Sequence, residues 1–298
     1  MALQPRDISP LALYFKTQVQ TKCVPPPETT SFAGHTAIIT GSNIGIGLEA
    51  CRQMLSRGLS HLIMGVRSES KGEAAAASLR ASYPDANIEV WSLDMISYGS
   101  VQAFSKRCAT LERLDTVILN ASIFSAEFRL CETGHEEAFQ VNYLSTTLLA
   151  TLILAVLRNR SPPGSPGRLT IVSSNMGLTN KFPTRDAIPL LPSFSKKSLC
   201  GDAPERYATT KMLQLLLVER LSTYVSPENV VINAVDPGLT SGSSLHRGFS
   251  GMASTFFGIA KALTARSPEE AAWIYMDAAA VKGAESHGGF VVNWEVYP

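Results

Sequence analysis

From Thr36 onward the chain alternates short apolar runs with longer stretches in which apolar residues recur every three or four positions. The short runs read as strands buried on both faces, and the longer ones as helices with one buried side. The predicted strands are Thr36–Thr40, His61–Val66, Ile88–Leu93, Thr116–Leu119, Arg168–Ser173, Val230–Val235 and Gly289–Asn293. Helices are expected between them, near residues 45–57, 69–82, 99–111, 134–158, 205–224 and 268–281. Such alternation predicts an α/β fold, a doubly wound, seven-stranded parallel sheet in a single domain over residues 34–298.

Three segments depart from this rhythm. Residues 1–33, punctuated by Pro5, Pro10 and Pro25-Pro26-Pro27, predict an extended N-terminal arm. Residues 175–204 carry Pro183, Pro189, Pro192 and Pro204 and exceed the roughly 12 to 15 residues of an ordinary structureless loop. Residues 239–266 start with Gly and Ser and turn apolar through Phe249, Met252, Phe256, Phe257 and Ile259. Both of these follow predicted strands at the carboxyl edge of the sheet, where open α/β sheets bind ligands, so they are expected to wall a substrate pocket.

Composition narrows the class of partner. With 298 residues, 45% of them hydrophobic and 17% charged, the chain can bury one sizeable core. A net charge of +1 lacks the one-signed imbalance of a nucleic-acid binder and points to a small or neutral partner. Cys23, Cys51, Cys108, Cys131 and Cys200 are scattered without disulfide or zinc spacing, and the histidines show no metal-ligand spacing either. The cysteines read as ordinary thiols of a reducing compartment. The start of the chain lacks signal-peptide architecture, and the apolar stretch Leu148–Leu157 is shorter than the roughly 20 residues of a bilayer span. A cytoplasmic protein without a membrane span is expected.

Thr40-Gly41-Ser42-Asn43-Ile44-Gly45-Ile46-Gly47 follows the first strand where a helix should begin. Glycines there let the backbone approach a pyrophosphate, which the helix N-terminus attracts with free N–H groups and its positive dipole end. At the end of the second strand stands Gly65-Val66-Arg67-Ser68. A carboxylate at that point would suit the ribose of NAD, whereas Arg67 suits a 2′-phosphate, so NADP(H) is favoured even with Glu69 nearby.

Tyr207-Ala208-Thr209-Thr210-Lys211 places a phenol and an ammonium one helical turn apart. A neighbouring cation favours the phenolate, so Tyr207 is a candidate general acid and Lys211 its tuner. The fifth strand ends at Ser173-Ser174 and the sixth at Asp236-Pro237-Gly238, on the same edge as the glycine loop. Ser174 lacks a Gly-x-Ser-x-Gly elbow, which argues against a serine hydrolase.

In these motifs the chain resembles the short-chain dehydrogenase/reductases over roughly residues 34–294, and within them the retinol-dehydrogenase-like branch with its long insertion between Ser and Tyr. The resemblance implies a Rossmann-like fold and carries the family's roles onto matching positions. Gly41, Asn43, Gly45, Ile46 and Gly47 would bind the cofactor, with Asp94 at the adenine, Asn120 and Ala121 as the Asn-Ala-Gly element, and Pro237 and Gly238 beyond the sixth strand. Asn142, Ser174, Tyr207 and Lys211 would form the catalytic set, Asn142 anchoring a water that links Lys211 to solvent and Lys211 also holding the nicotinamide ribose. Ser122 replaces the family's Gly, and Gly242 meets its Thr, so the contact to the nicotinamide amide falls to Thr240.

The implied activity is reduction of a ketone or aldehyde in a mostly apolar small molecule, or oxidation of the matching alcohol. A non-redox or combined reduction and cyclisation step on the same fold is the alternative, and a nucleotide-bound regulator a third. Family likeness also favours a homo-oligomer.

Overall fold

The computed structural model describes residues 9–241 and 264–297, and in them a single eight-stranded sheet runs in the order β3-β2-β1-β4-β5-β6-β7-β8. The strands are β1 Thr36–Thr40, β2 His61–Val66, β3 Asn87–Ser92, β4 Thr116–Leu119, β5 Gly167–Val172, β6 Val230–Val235, β7 Phe290–Val292 and β8 Glu295–Tyr297. From β3 across to β7 every pairing is parallel, as the β-α alternation predicts. Seven strands fall where the hydrophobic pattern puts them, within a residue or two at their ends.

The eighth strand corrects the expected count. Asn293 and Trp294 have φ of 55° and 62°. Two successive left-handed residues make the tight turn that pairs β8 antiparallel to β7, with Val292 opposite Glu295. The sequence hides this turn because its second residue is Trp instead of the glycine usual there.

Helices cover both faces. Against one face lie α4 (Tyr98–Cys108), α5 (Thr146–Arg160) and α6 (Ala203–Ser222), with a core that includes Val101, Phe104, Leu149, Ile153, Leu157 and Val218. Against the other lie α2 (Gly45–Ser56), α3 (Glu69–Ser82) and α7 (Pro268–Met276), around Met54, Leu79, Ile274 and Tyr275. The buried strands carry apolar residues on successive positions because both of their faces meet helices.

Short stretches before α5 extend it into one helical run, Glu137–Arg160, which is long and apolar enough by length and composition to cross a membrane. The helix falls where the sequence puts it, near residues 134–158, while its apolar window is longer than the Leu148–Leu157 stretch read from sequence. In the structure 61% of its most apolar window is buried inside the fold, where it packs on α4, β4 and β5.

The N-terminal arm is partly helical instead of extended. Ser9 accepts a hydrogen bond from Ala12 N at 3.2 Å and caps α1 (Pro10–Tyr14), which continues as a wider π turn over Phe15–Gln20. Leu13 and Thr17 are buried against the body, and a fully buried Leu stabilises by about 1.5–3 kcal/mol. The segment then runs without regular structure from Thr21 to Ser31.

Candidate active site

At the carboxyl edge a groove of about 430 Å³ extends from the glycine loop to the start of α6. Gly41, Asn43, Ile44, Gly45, Ile46 and Gly47 line its floor, and Arg67, Ser68, Lys71 and Asp94 one side. Asn120, Ala121, Tyr207, Lys211, Pro237 and Tyr275 continue it toward the chemical end.

Backbone geometry makes the floor. Gly41 and Gly45 have φ of 64° and 60°, a region that favours glycine. A Cβ on Gly47 would lie 2.6 Å from Asn120 Nδ2 and 2.8 Å from the Gly41 carbonyl, so only glycine lets α2 start this close to β1 and β4. Ile44 precedes α2 without a side-chain cap, leaving the first N–H groups of that helix to a ligand.

Asn120 braces the loop from behind, donating to Thr40 O at 2.9 Å and Gly41 O at 3.2 Å, while Ala121 N donates to Thr40 Oγ1 at 2.9 Å. The free end of Asn120 accepts a 2.9 Å bond from Tyr275 Oη. Tyr275 is a member of the site that the sequence reading missed, since in an apolar helix it looks like any core aromatic. The features needed for a dinucleotide are therefore present: a glycine cradle, an uncapped helix N-terminus and two cations, Arg67 and Lys71, beyond β2.

The chemical end is buried. Asp202 caps α6 by accepting from Glu205 N at 2.9 Å, and Pro204 occupies its first turn. Arg206 forms a 3.4 Å ion pair with Glu136 and donates to Ser125 O at 3.0 Å, fixing the helix start against the loop that follows β4. On the next positions Tyr207 and Lys211 are 6% and 1% exposed. Phe124 meets the Tyr207 ring edge-on at a centroid distance of 5.8 Å.

Burial raises the Tyr207 pKa above its ordinary value, and the charge of Asp236 raises it further. Burial likewise lowers Lys211, to about 7, against an opposing pull from Asp236. The expectation that Lys211 lowers the phenol pKa is thus not met. Its Nζ lies 5.4 Å from the Tyr207 ring centroid and donates instead to Val172 O at 2.9 Å and Gln214 Oε1 at 3.1 Å.

Asn142 lies behind the groove wall, within a π-helical turn over Gln140–Ser145. Its Oδ1 accepts from Ser122 Oγ at 3.0 Å and Ile123 N at 2.9 Å, and its Nδ2 donates to Ile123 O at 2.9 Å and Thr210 Oγ1 at 3.1 Å. The Asn142 carbonyl accepts a 2.6 Å bond from Gln214 Nε2.

Ser174 stands just outside the residues that line the groove, and its Oγ accepts from Met176 N at 3.3 Å as the cap of a short 3₁₀ turn. That turn is held to α6 at Gly177, where a Cβ would lie 2.7 Å from Met212 N. Ser173 does line the groove, with its hydroxyl donating to Lys211 O at 2.9 Å.

Beyond β6, Thr240 faces away from the groove, buried and donating to Gly238 O at 3.2 Å, and the groove is lined by Ser241. The nicotinamide contact carried to Thr240 is accordingly not supported by its orientation. Asp236 is 2% exposed, and its Oδ2 has no hydrogen-bond partner. Burial raises its pKa, opposed first by Arg266.

Arg266 reaches three separate parts of the chain. It donates to Pro237 O at 3.0 Å, Thr17 O at 2.7 Å and Asn293 Oδ1 at 3.4 Å, and its guanidinium lies 5.1 Å from the centre of the Trp294 ring. Arg266 escaped the sequence reading because nothing local marks a contact across 249 positions of sequence.

Of the two segments expected as substrate walls, residues 175–204 contribute nothing to the lining of this groove. Their Phe194 stacks on Phe139 at 4.3 Å between centroids, and Phe182 stacks on Phe194 at 6.1 Å. In the other, residues 242–263, including Phe249 to Ile259, lie outside the described residues.

The model of the short chain dehydrogenase family matches residues 35–185. Over 287 residues, 96% of this chain and 83% of the other, the sequence is 48% identical to the short chain dehydrogenase/reductase mfmJ of Annulohypoxylon moriforme. The chain belongs to the short-chain dehydrogenase/reductase family. It is also 40% identical to the short chain dehydrogenase virL of Hypocrea virens, across 93% of this chain and 82% of that one.

Among solved structures it shares the family fold with a short-chain dehydrogenase from Sphingobium yanoikuyae in complex with NADPH, at a TM-score of 0.60 and 21% identity, covering 80% of this chain and 81% of that chain. As a short-chain dehydrogenase/reductase it is a NAD(P)-dependent oxidoreductase.

Proposed function

We propose that this short-chain dehydrogenase/reductase uses NADP(H) to reduce a ketone or aldehyde in a mostly apolar small molecule, with Tyr207 as the proton donor. The observation that carries the reading is one groove with Arg67 and Lys71 at one end and the Tyr207–Lys211 pair at the other.

Two cations and no carboxylate line the groove at the end of β2, which suits a 2′-phosphate. Gly41, Gly45 and Gly47 would admit the pyrophosphate against the N-terminus of α2, and Asp94 would face the adenine. When bound there, the nicotinamide would supply the hydride that a carbonyl carbon needs.

Tyr207 gives its hydroxyl proton to the carbonyl oxygen, and its raised pKa keeps that proton in place until the oxygen takes on negative charge. Lys211 holds a cofactor hydroxyl through the donor left after Val172 O and Gln214 Oε1. Ser174 orients the substrate oxygen in this reading by donating its hydroxyl hydrogen, which the bond accepted from Met176 N leaves free. Ile123, Val141 and Val172 line the groove near Tyr207 and favour an apolar substrate.

The test is a panel of ketones and aldehydes, each followed by loss of reduced-nicotinamide absorbance with NADPH and with NADH. Turnover is expected with NADPH and an apolar carbonyl compound. Arg67→Ala should cost roughly 10-fold in kcat/KM with NADPH and leave NADH unchanged, in line with one charge-assisted hydrogen bond. Equal use of both cofactors by the unaltered protein would overturn the NADP(H) assignment.

A further inference from the structure

Gln214 stands three positions after Lys211 on α6, so the two side chains rise from the same face of the helix. It is 1% exposed, and both ends of its amide are engaged. Nε2 donates to the Asn142 carbonyl at 2.6 Å, and Oε1 accepts from Lys211 Nζ at 3.1 Å. The amide thus spans the gap between the Asn142 peptide and the lysine.

A water in that gap would accept from Lys211, donate to Asn142 and exchange those roles by turning. The amide has a fixed donor end and a fixed acceptor end, so it holds both neighbours and passes no proton between them. Asn142 itself is locked by the four side-chain hydrogen bonds to Ser122, Ile123 and Thr210, which leaves its carbonyl a rigid anchor.

We propose that Gln214 is a positioning residue that replaces a relay water, fixing Lys211 Nζ against the Asn142 carbonyl and closing that route to proton movement. The inference rests on the reading of Tyr207 and Lys211 as the reactive pair. It implies that the proton lost by Tyr207 is restored from the groove side.

The groups facing Lys211 besides Gln214 are Asp236 at the end of β6 and the Tyr207 phenol on its own helix. Arg266 and Tyr275 act on that pair in turn. None of these changes in a Gln214 variant, so a shift in Lys211 reports on the amide alone.

The experiment follows Lys211 by NMR of the full-length protein carrying ¹³C-labelled lysine, titrated without cofactor, with Lys211→Met used to assign the signal. Gln214→Ala opens the gap to a water that accepts from Lys211 in the amide's place and should leave its midpoint nearly unchanged, whereas Gln214→Glu puts a carboxylate at the same place and should raise it by at least about one unit. The Glu variant keeps the side-chain shape, so the test survives even if the Ala variant fails to fold. A midpoint that stays put in Gln214→Glu overturns the proposal.

A second readout is the pH profile of kcat, whose limb should move with the NMR midpoint. The two readings fail separately: Tyr207→Phe that still turns over removes the catalytic assignment, while the titration without cofactor or substrate continues to judge Gln214.

Discussion

At the β1–β3 end of the groove the ligand-facing surface is mostly backbone: Gly41 and Gly45 in left-handed conformations, Gly47 against Asn120, and the uncapped start of α2. Of the charged side chains there, Arg67 and Lys71 are exposed and Asp94 is half-buried. At the β5–β6 end the surface is ionisable and buried, with Tyr207, Lys211 and Asp236 all 6% exposed or less. One end admits its ligand by leaving out atoms, and the other acts by keeping charges away from water. The first is sensitive to volume and the second to protonation, and substitutions at the two ends should separate these sensitivities.

The largest effect expected is at the chemical end. Tyr207→Phe changes volume little but removes the donor, so kcat should fall by about 10²–10⁴-fold, the usual share of a general acid, while the Kd for NADPH stays within a factor of a few. Steady-state kinetics with fluorescence titration of NADPH checks this, and a matching loss of cofactor affinity would erase the contrast.

Next comes Gly47→Ala, where a Cβ meets Asn120 Nδ2 at 2.6 Å and Gly41 O at 2.8 Å. Overpacking of this kind costs about 1–3 kcal/mol, so NADPH affinity should drop by roughly 5- to 150-fold. The pH dependence of whatever activity remains should be unchanged, because no ionisable group is touched.

The remaining effect is on stability. Lys211 titrates near 7 in the folded protein and near 10.5 when solvated, so between those values the unfolded chain binds a proton that the folded chain does not. Stability from this group therefore rises with pH across that window, and below about 7 its cost is constant. Thermal melts between pH 7 and 9.5 should show that rise in the wild type, and Lys211→Met should flatten it. An equally steep rise in the variant would place the pH sensitivity elsewhere.

The two ends also differ in how much of them could be read from the chain. Glycine loops and Tyr-x-x-x-Lys are local patterns whose geometry follows from spacing, and the sheet follows from hydrophobic runs on successive residues. Gln214 and Asp236 have no local signature. A glutamine one turn beyond a lysine reads as a helix residue like any other until the fold brings the Asn142 carbonyl to its far side.

Thr240 shows the same limit in reverse, since the residue offered as a ligand contact turns inward toward Gly238 O. The strand β8 and the helical arm escaped notice for conformational reasons. Asn293-Trp294 is an unusual pair for a turn with two positive φ values, and α1 is too short to show a clear period.

Arg266 joins the backbone of the arm at Thr17, the loop after β6 at Pro237 and the turn at Asn293 through a single guanidinium. A cation shared in this way makes those three places thermodynamically reciprocal. If a bound dinucleotide steadies the Pro237 loop, it must tighten the docking of the arm by the same factor that the docked arm adds to dinucleotide affinity. The N-terminal arm then belongs to the energetics of the ligand although its described residues supply none of the groove lining, and a proteolytic cut near Thr21 becomes a change in affinity as well as in length.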